Sequence, residues 1–288
     1  MNENTVFIYE NSIGKLTFAY DSPLWITDVD GMSSVEIDIA ENRSTMQIGA
    51  SITGQSVRPR SFTIDGAIFD PIDTARKLVI AVLAPQIPST LTVKQNGESW
   101  YLDVVPEKTP EITAGNGVQF FQTRLHAAYP YWRTTASLAQ QVAGLVAMFK
   151  FPFNAAGRSF WLSQFSDSYF STVENRGNVP VEFTVVFTAR SALENPELYH
   201  VDTGKRILIR KSMTAGEKVI ASTVYGQKGI TCISAAGEIT NGFKYLSIDS
   251  DLSMTLNPGE NLLRIDAAAN REGLGVRVEA PEGVVSGV

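Results

Sequence analysis

Nucleophilic catalysis needs a base within reach of a serine, cysteine or similar nucleophile, and this sequence offers little to build that pair. Its two histidines, His126 and His200, stand far apart, and neither has a serine or cysteine in a glycine-flanked elbow nearby. No set of Cys, His, Asp or Glu at ligand spacing surrounds them, so a zinc site is not expected. The single cysteine, Cys232, lies in the apolar run Ile230-Thr231-Cys232-Ile233, where a buried and inert thiol is expected. It has no internal disulfide partner, which suits folding in a reducing cytoplasm. Glycoside cleavage needs two facing carboxylates, and Asp28 with Asp30, or Asp249 with Asp251, would share a strand face. No aromatic cleft accompanies either pair, and surface carboxylates spaced in this way are common. Gly273-Leu274-Gly275 is a lone Gly-x-Gly and reads as a turn, and Asn42-Arg43-Ser44 is a glycosylation pattern without a secretory route. Phe160, Trp161, Phe165, Tyr169 and Phe170 crowd one stretch. Trp161 and Tyr169 would make the glycan platform of a carbohydrate-binding module, whereas the plainer reading is sandwich core. No catalytic residue, cofactor or metal is expected.

The charge balance points the same way. Twenty-four Lys and Arg stand against 30 Asp and Glu, a formal charge of −6, whereas a nucleic-acid binder carries a basic domain or stripe. The densest basic cluster, Lys205-Arg206 with Arg210-Lys211, reads as a solvated strand end. The longest apolar candidate, Leu78 to Ala84, stops at Pro85, far short of the roughly 18 residues a membrane helix requires, so no membrane insertion is expected. The opening Met1-Asn2-Glu3-Asn4 lacks the basic and apolar regions of a secretory signal.

The elements are mostly strands. Val6 to Tyr9 and Leu16 to Tyr20 flank the turn Asn11-Ser12-Ile13-Gly14. Val35 to Ile39 alternates apolar and acidic residues, the pattern of a strand with one face in a core. Phe62 to Ile68 follows Pro59, a residue suited to a strand entry. One helix is expected over 72–83: Pro71 and Asp73 suit its start, Ile72, Ala75, Leu78, Val79, Val82 and Leu83 form its apolar side, and Pro85 stops it. Asn96-Gly97 between two alternating runs signals a hairpin. The run 118–127 places Phe120, Gln122, Arg124 and His126 on one side and Phe121, Thr123 and Leu125 on the other, suiting a strand whose polar face meets solvent or a neighbouring subunit. After Tyr129-Pro130-Tyr131-Trp132, residues 134–149 are Ala/Gln/Ser-rich and read as a linker. Beyond about 150, short strands punctuated by turns indicate an antiparallel sandwich or jelly-roll, with a tail from Pro281 that frays.

Several of these segments, in order, resemble siphophage distal tail (Dit) proteins. Trp25-Ile26-Thr27-Asp28-Val29-Asp30-Gly31 and Arg60-Ser61-Phe62-Thr63-Ile64-Asp65-Gly66 are similar to two glycine-ended strand motifs that the family separates by a variable loop. Gly177-Asn178-Val179-Pro180-Val181 and Leu256-Asn257-Pro258-Gly259-Glu260-Asn261 resemble two turns of its C-terminal sandwich. The resemblance spans nearly the whole chain. It implies a mostly β protein: an N-terminal β-barrel or sandwich of tail-tube type with one helix over 1–133, the linker 134–149, and a galectin-like sandwich over 150–288. It further implies a ring, six-fold in relatives, whose N-terminal domains surround the tail channel.

On that basis the chain reads as a structural tail-tip or baseplate hub protein of a virion, assembled in the bacterial host cytoplasm. Its expected partners are its own copies, a tail tube protein, a tail-tip hub or tail-associated lysin, and receptor-binding proteins, with DNA only in transit. Gln122, Arg124 and His126 are candidate channel-facing residues. Arg43, Gln47, Arg58, Arg60 and Asn96 are candidate subunit contacts, most of them on the polar loop 41–59, because loops on a rigid scaffold carry such contacts. A carbohydrate-binding adhesion module acting through the second domain is the alternative.

Overall fold

A computed structural model describes residues 4–115, 117–143, 145–147, 163–165 and 169–284. The chain divides into two units, Met1–Ala136 with Gly283–Val288, and Ser137–Glu282.

The first unit contains β1 (Thr5–Glu10), β2 (Lys15–Phe18), β3 (Leu24–Asp30), β4 (Ile37–Asn42), β5 (Ser51–Val57), β6 (Arg60–Ile68), α1 (Ile72–Val82), β7 (Ser89–Gln95), β8 (Glu98–Pro106), β9 (Glu111–Ala114), β10 (Gln119–Ala127) and the start of β11 (Trp132–Ala143). All pairings are antiparallel. β1 lies between β2 and β7, and β7 turns into β8 through Asn96 and Gly97, both at positive φ as a two-residue hairpin of this twist requires. A second layer runs from β3 through β6 to β10, which carries β9 on its other side. The end of β8 joins this layer too, Val105 facing His126 and Pro106 facing Leu125, so one strand links the two layers as in a partly closed barrel. Between them Phe7, Tyr9, Leu16, Phe62, Leu91, Leu102, Leu125 and Trp132 are buried, each large apolar side chain contributing about 1.5–3 kcal/mol.

The helix turns Ala75, Val79 and Val82 inward. Leu78, expected on that buried side, is 42 % exposed: it lies one residue from Val79 and so points off the inward stripe. The alternating run 35–39 departs from expectation more sharply. Its strand β4 pairs only with β5, and every residue of both strands is exposed, so the face read as buried covers no core of its own chain. The segment 41–59 is likewise an ordered hairpin arm rather than a loop. Residues 134–143 and 145–147, inside the stretch read as a linker, are strand, begun where Arg133 and Thr134 pair with Tyr101 and Trp100.

Two short strands, β12 (Leu145–Ala147) and β13 (Ser163–Phe165), pair with each other. The rest of the second unit is an antiparallel sandwich. One layer orders β14 (Phe170–Asn175), β22 (Gly259–Ala269), β16 (Leu193–His200) and β17 (Arg206–Leu208), with β18 (Ser212–Met213) also on β16. The other orders β23 (Leu274–Val284), β15 (Thr184–Ala189), β19 (Lys218–Ser222), β20 (Gly229–Ile233) and β21 (Ile239–Asn241). Along β15, Val185, Phe187 and Ala189 are buried while the residues between them are half-exposed, the two-residue period of a strand with one face in a core. Phe183, Phe187, Leu198, Ile207, Met254, Ile265 and Val276 fill that core. The tail expected to fray from Pro281 continues β23 to Val284.

The sandwich motifs have a clear structural job. Asn175, buried just before Arg176 and Gly177, donates through Nδ2 to the carbonyls of Val179 (2.9 Å) and Leu256 (3.0 Å). Leu256 opens the second motif, so a single buried amide ties the two turns together.

Candidate functional site

The hairpin of β4 and β5 presents unlike faces. Cross-strand partners share a face, so Ile37 with Val57, Ile39 with Gln55, and Glu41 with Ile52 lie on one side, beyond a bulge at Ala40/Glu41. The other side carries Asp38, Ala40, Asn42, Ser51, Gly54 and Ser56. Met46 and Ile48 at the tip are wholly exposed. A two-stranded hairpin is marginally stable alone, and this one is braced at its base and tip. Arg58 donates its Nε to Asp38 Oδ1 at 2.7 Å and reaches Glu36 at 3.1 Å, while its amide donates to the Glu36 carbonyl. That guanidinium holds the Asp38 carboxyl below the usual carboxylate range, and Asp38 and then Glu36 raise the pKa of the guanidinium in turn. At the tip, Gln47 accepts from the Ser44 amide and donates to Ser51 Oγ.

The outer face of the β3–β6–β10–β9 layer forms a second surface. Asp28, Asp65, Gln122 and Glu111 make one cross-strand row, with Gln122 Nε2 donating to Asp65 Oδ1 at 2.8 Å. Asp30, Thr63 and Arg124 make the next, and Arg124 pairs with Glu107 at 3.2 Å. Ser61 and His126 follow, joined at 2.9 Å, with Ser61 Oγ also donating to Glu107. Five carboxylates (Asp28, Asp30, Asp65, Glu107 and Glu111) therefore face Arg124 and Lys108, and the outer wall is predominantly acidic. Phe121, Thr123 and Leu125 point inward, as the alternation requires.

The residues singled out from sequence fall in several places. Gln122, Arg124 and His126 share the acidic wall. Arg43, Gln47 and Arg58 lie on the hairpin arm, and Asn96 is exposed at the separate β7–β8 turn. Arg60 differs from its expected surface role: it is 3 % exposed, its guanidinium donates to the Met32 carbonyl, and burial lowers its pKa to about 10. Trp161 lies outside the described residues. Tyr169 is exposed, but the Arg271 guanidinium lies 3.4 Å from its ring centre and covers one face. His126 is in the first unit and His200 in the second. Asp249 pairs with Arg206 and Asp251 with Lys205, and among the described residues no group of three His, Cys, Asp or Glu could hold a metal. No helix of the described residues is long and apolar enough to cross a membrane.

Sequence reading missed Met46, Ile48 and Ile52 as an apolar surface, since it took 41–59 for a polar loop. It also missed Asp65, Glu107 and Glu111 as wall-mates of Gln122 and Arg124. Only the cross-strand register brings them together.

Comparison with known proteins matches this architecture. The family model for the siphovirus-type tail component, C-terminal domain, matches residues 176–278. Among solved structures, the SPP1 Dit protein, described as a paradigm of the hub adsorption apparatus in Gram-positive infecting phages, aligns with a TM-score of 0.65 at 15 % identity, over 96 % of this chain and 99 % of that one. A chain of the phage P2 baseplate in its activated conformation with Ca aligns at 0.56 and 8 % identity, over 98 % and 99 %. The corresponding baseplate structure with Sr aligns at 0.53 and 8 % identity, over 96 % and 97 %. No curated protein matches. Residues 176–278 thus match the C-terminal-domain model of the siphovirus-type tail component family, on a chain whose fold is similar to that of a Dit protein along nearly its whole length.

Proposed function

We propose that this protein is a structural hub of a phage tail tip or baseplate, acting as a ring, six-fold as the Dit resemblance implies, that joins the tail tube to the host-recognition apparatus. The observation that carries the reading is the β4–β5 arm, which offers an apolar face and an apolar tip that its own chain leaves uncovered. Exposed apolar surface of this kind marks an interaction site. Head-to-tail contact between identical subunits closes into a ring when the rotation fits. In this reading the arm, with Arg43, Gln47 and Arg58, seats on the neighbouring copy, and Asn96 lies at a second contact.

The acidic wall supports a channel lining. With Gln122, Arg124 and His126 among five carboxylates, it would repel DNA phosphates and let the duplex pass without sticking. The second unit, a galectin-like sandwich in this reading, would be the platform for receptor-binding proteins, and a tail tube protein and a tail-tip hub or lysin would dock on the ring's two sides. Localisation in the virion, after assembly in the host cytoplasm, follows from that role, which is architectural rather than catalytic.

Light scattering and negative-stain imaging of the purified protein across a range of concentrations test the ring. Closed particles of six subunits with a central hole are expected. A monomer at every concentration, both alone and mixed with tail tube protein, would refute it.

A further inference from the structure

The outer wall of the first unit changes character along its strands. In the β3–β6–β10–β9 register, Trp25, Ala67, Phe120 and Thr113 form one cross-strand row, about 7 Å from the acidic row of Asp28, Asp65, Gln122 and Glu111. Trp25 extends this apolar end: its ring stacks on Tyr20 at 5.4 Å and meets Phe69 at 5.0 Å. Tyr20 and Phe120 are 53 % and 47 % exposed, so an aromatic patch lies open on a face otherwise polar. Large aromatic side chains left half in solvent are the kind of anchor around which protein contacts form.

The acids beside the patch add a sign to it. Asp28 and Asp65 stand directly opposite each other across β3 and β6, an arrangement that like charges disfavour. Gln122 donates to Asp65, but no ion pair reaches either carboxylate among the described residues. A partner that covers the aromatic row is therefore favoured if it brings a cation to the row's acidic border.

The tip of the β4–β5 arm has that chemistry. Met46 and Ile48 are wholly exposed there, and Arg43, also exposed, enters no ion pair among the described residues. A six-residue strand such as β4 holds the tip about 20 Å from the base of the arm. With tip and row both open to solvent, the two surfaces do not meet within one copy. Complementary surfaces at different places on one subunit make a head-to-tail contact, the kind that closes into a ring.

We propose that the arm tip of one copy seats on the aromatic row of the next, with Met46 and Ile48 against Trp25 and Phe120, and Arg43 beside Asp28 and Asp65. The Met46 thioether suits this place, because sulfur packs well against aromatic rings. The proposal rests on the ring reading and names the surface that receives the arm. It leaves the Arg124 and His126 rows, farther along the strands, to the channel.

Exchanging the charges tests it in the full-length protein, read as the concentration at which rings appear in light scattering. Arg43→Glu and Asp28→Arg are each expected to raise that concentration about five-fold or more, without lowering the thermal midpoint, because both side chains are exposed. Combined in one chain, they restore the pair with its sign reversed, and rings are expected within about two-fold of the wild-type concentration. Phe120→Asp is expected to remove rings; where it disturbs the first unit, the charge exchange decides alone. Single variants that assemble as the wild type does, or a double variant no better than either single one, overturn the proposal. If Ile48→Asp still removes rings in that event, the arm keeps its role on a different surface. A wild type that never forms rings removes both ideas.

Discussion

His200 Nε2 lies 3.0 Å from Asn261 Oδ1, with both residues wholly buried. That oxygen also accepts from the Asn257 amide at 2.7 Å, so the imidazole supplies the proton and Nε2–H is the tautomer. The Asn261 amide nitrogen meanwhile donates to the carbonyls of Asn257 (2.8 Å), Gly259 (3.0 Å) and Val173. One side chain thus pins the turn into β22 to β14 and β16. Asn261→Ala would strand the imidazole donor and several buried backbone groups, and a loss of about 2–4 kcal/mol is expected in urea unfolding. A loss below about 0.5 kcal/mol, the range of ordinary surface changes, would show that water replaces the network without cost.

Gly66 ends the motif running from Arg60, and its hydrogen is the reason that motif ends in glycine. A Cβ at this position would meet two ring atoms of Phe121 at 2.3 Å and the Trp25 carbonyl at 2.7 Å. The Phe121 ring faces Gly66 across the β6–β10 ladder, and the carbonyl belongs to β3 on the other side. Neither neighbour can withdraw without disturbing its strand. Gly66→Ala is therefore expected to destabilise the first unit by about 1–3 kcal/mol, as overpacked cores do. Gly66→Ala combined with Phe121→Leu should recover part of that loss in the same thermal melt, because the smaller side chain frees the space.

Much of this architecture is legible in the sequence because local rules and the fold agree. The Asn96-Gly97 hairpin, the helix beginning after Pro71 and the alternation from Phe120 to His126 all appear where residue type and spacing put them. Where reading fails, the cause is a long-range relation. Ile37 and Ile39 have the pattern of a half-buried strand, but periodicity reports that a face is apolar and says nothing about what covers it. Arg60 looks like a surface cation until Met32 and the neighbouring strands enclose it.

Asp251 gives the stability a particular response to acid. The Ser253 hydroxyl, donating at 2.5 Å, and then Lys205 at 2.9 Å hold its carboxyl at about 2, below its ordinary 3.8. A depressed carboxylate contributes stability that is present above its unfolded-state value and disappears as pH falls toward its folded-state value. The contribution should therefore fade between about pH 4 and pH 2, and only modestly, because more than a third of the side chain is exposed to solvent. Ser253→Ala removes the foremost cause. The Asp251 carboxyl resonance is then expected to titrate nearer the ordinary value, with its loss of stability beginning at higher pH. An unchanged titration midpoint in the variant would leave Lys205 and the Ser253 backbone amide as its support.

The hairpin arm separates folding from assembly in a way that can be measured. Met46 and Ile48 contribute almost no buried area within their own chain and Ile39 is half-exposed, so replacing them with aspartate costs the monomer little, within about 0.5 kcal/mol for changes at exposed positions. If the arm seats on a neighbouring copy, the same substitutions would place a charge in an apolar contact, where burial without a partner is strongly unfavourable. Ile39→Asp with Ile48→Asp is thus expected to leave the thermal midpoint of the monomer unchanged while removing rings from light scattering and from images. Arg58→Ala acts differently, since it releases Asp38 and Glu36 at the base of the arm rather than altering the contact itself. It should weaken ring closure only partly, raising the concentration at which rings appear. Rings that persist in the double aspartate variant would move the subunit contact away from the arm, with the Asn96 turn as the next segment to change.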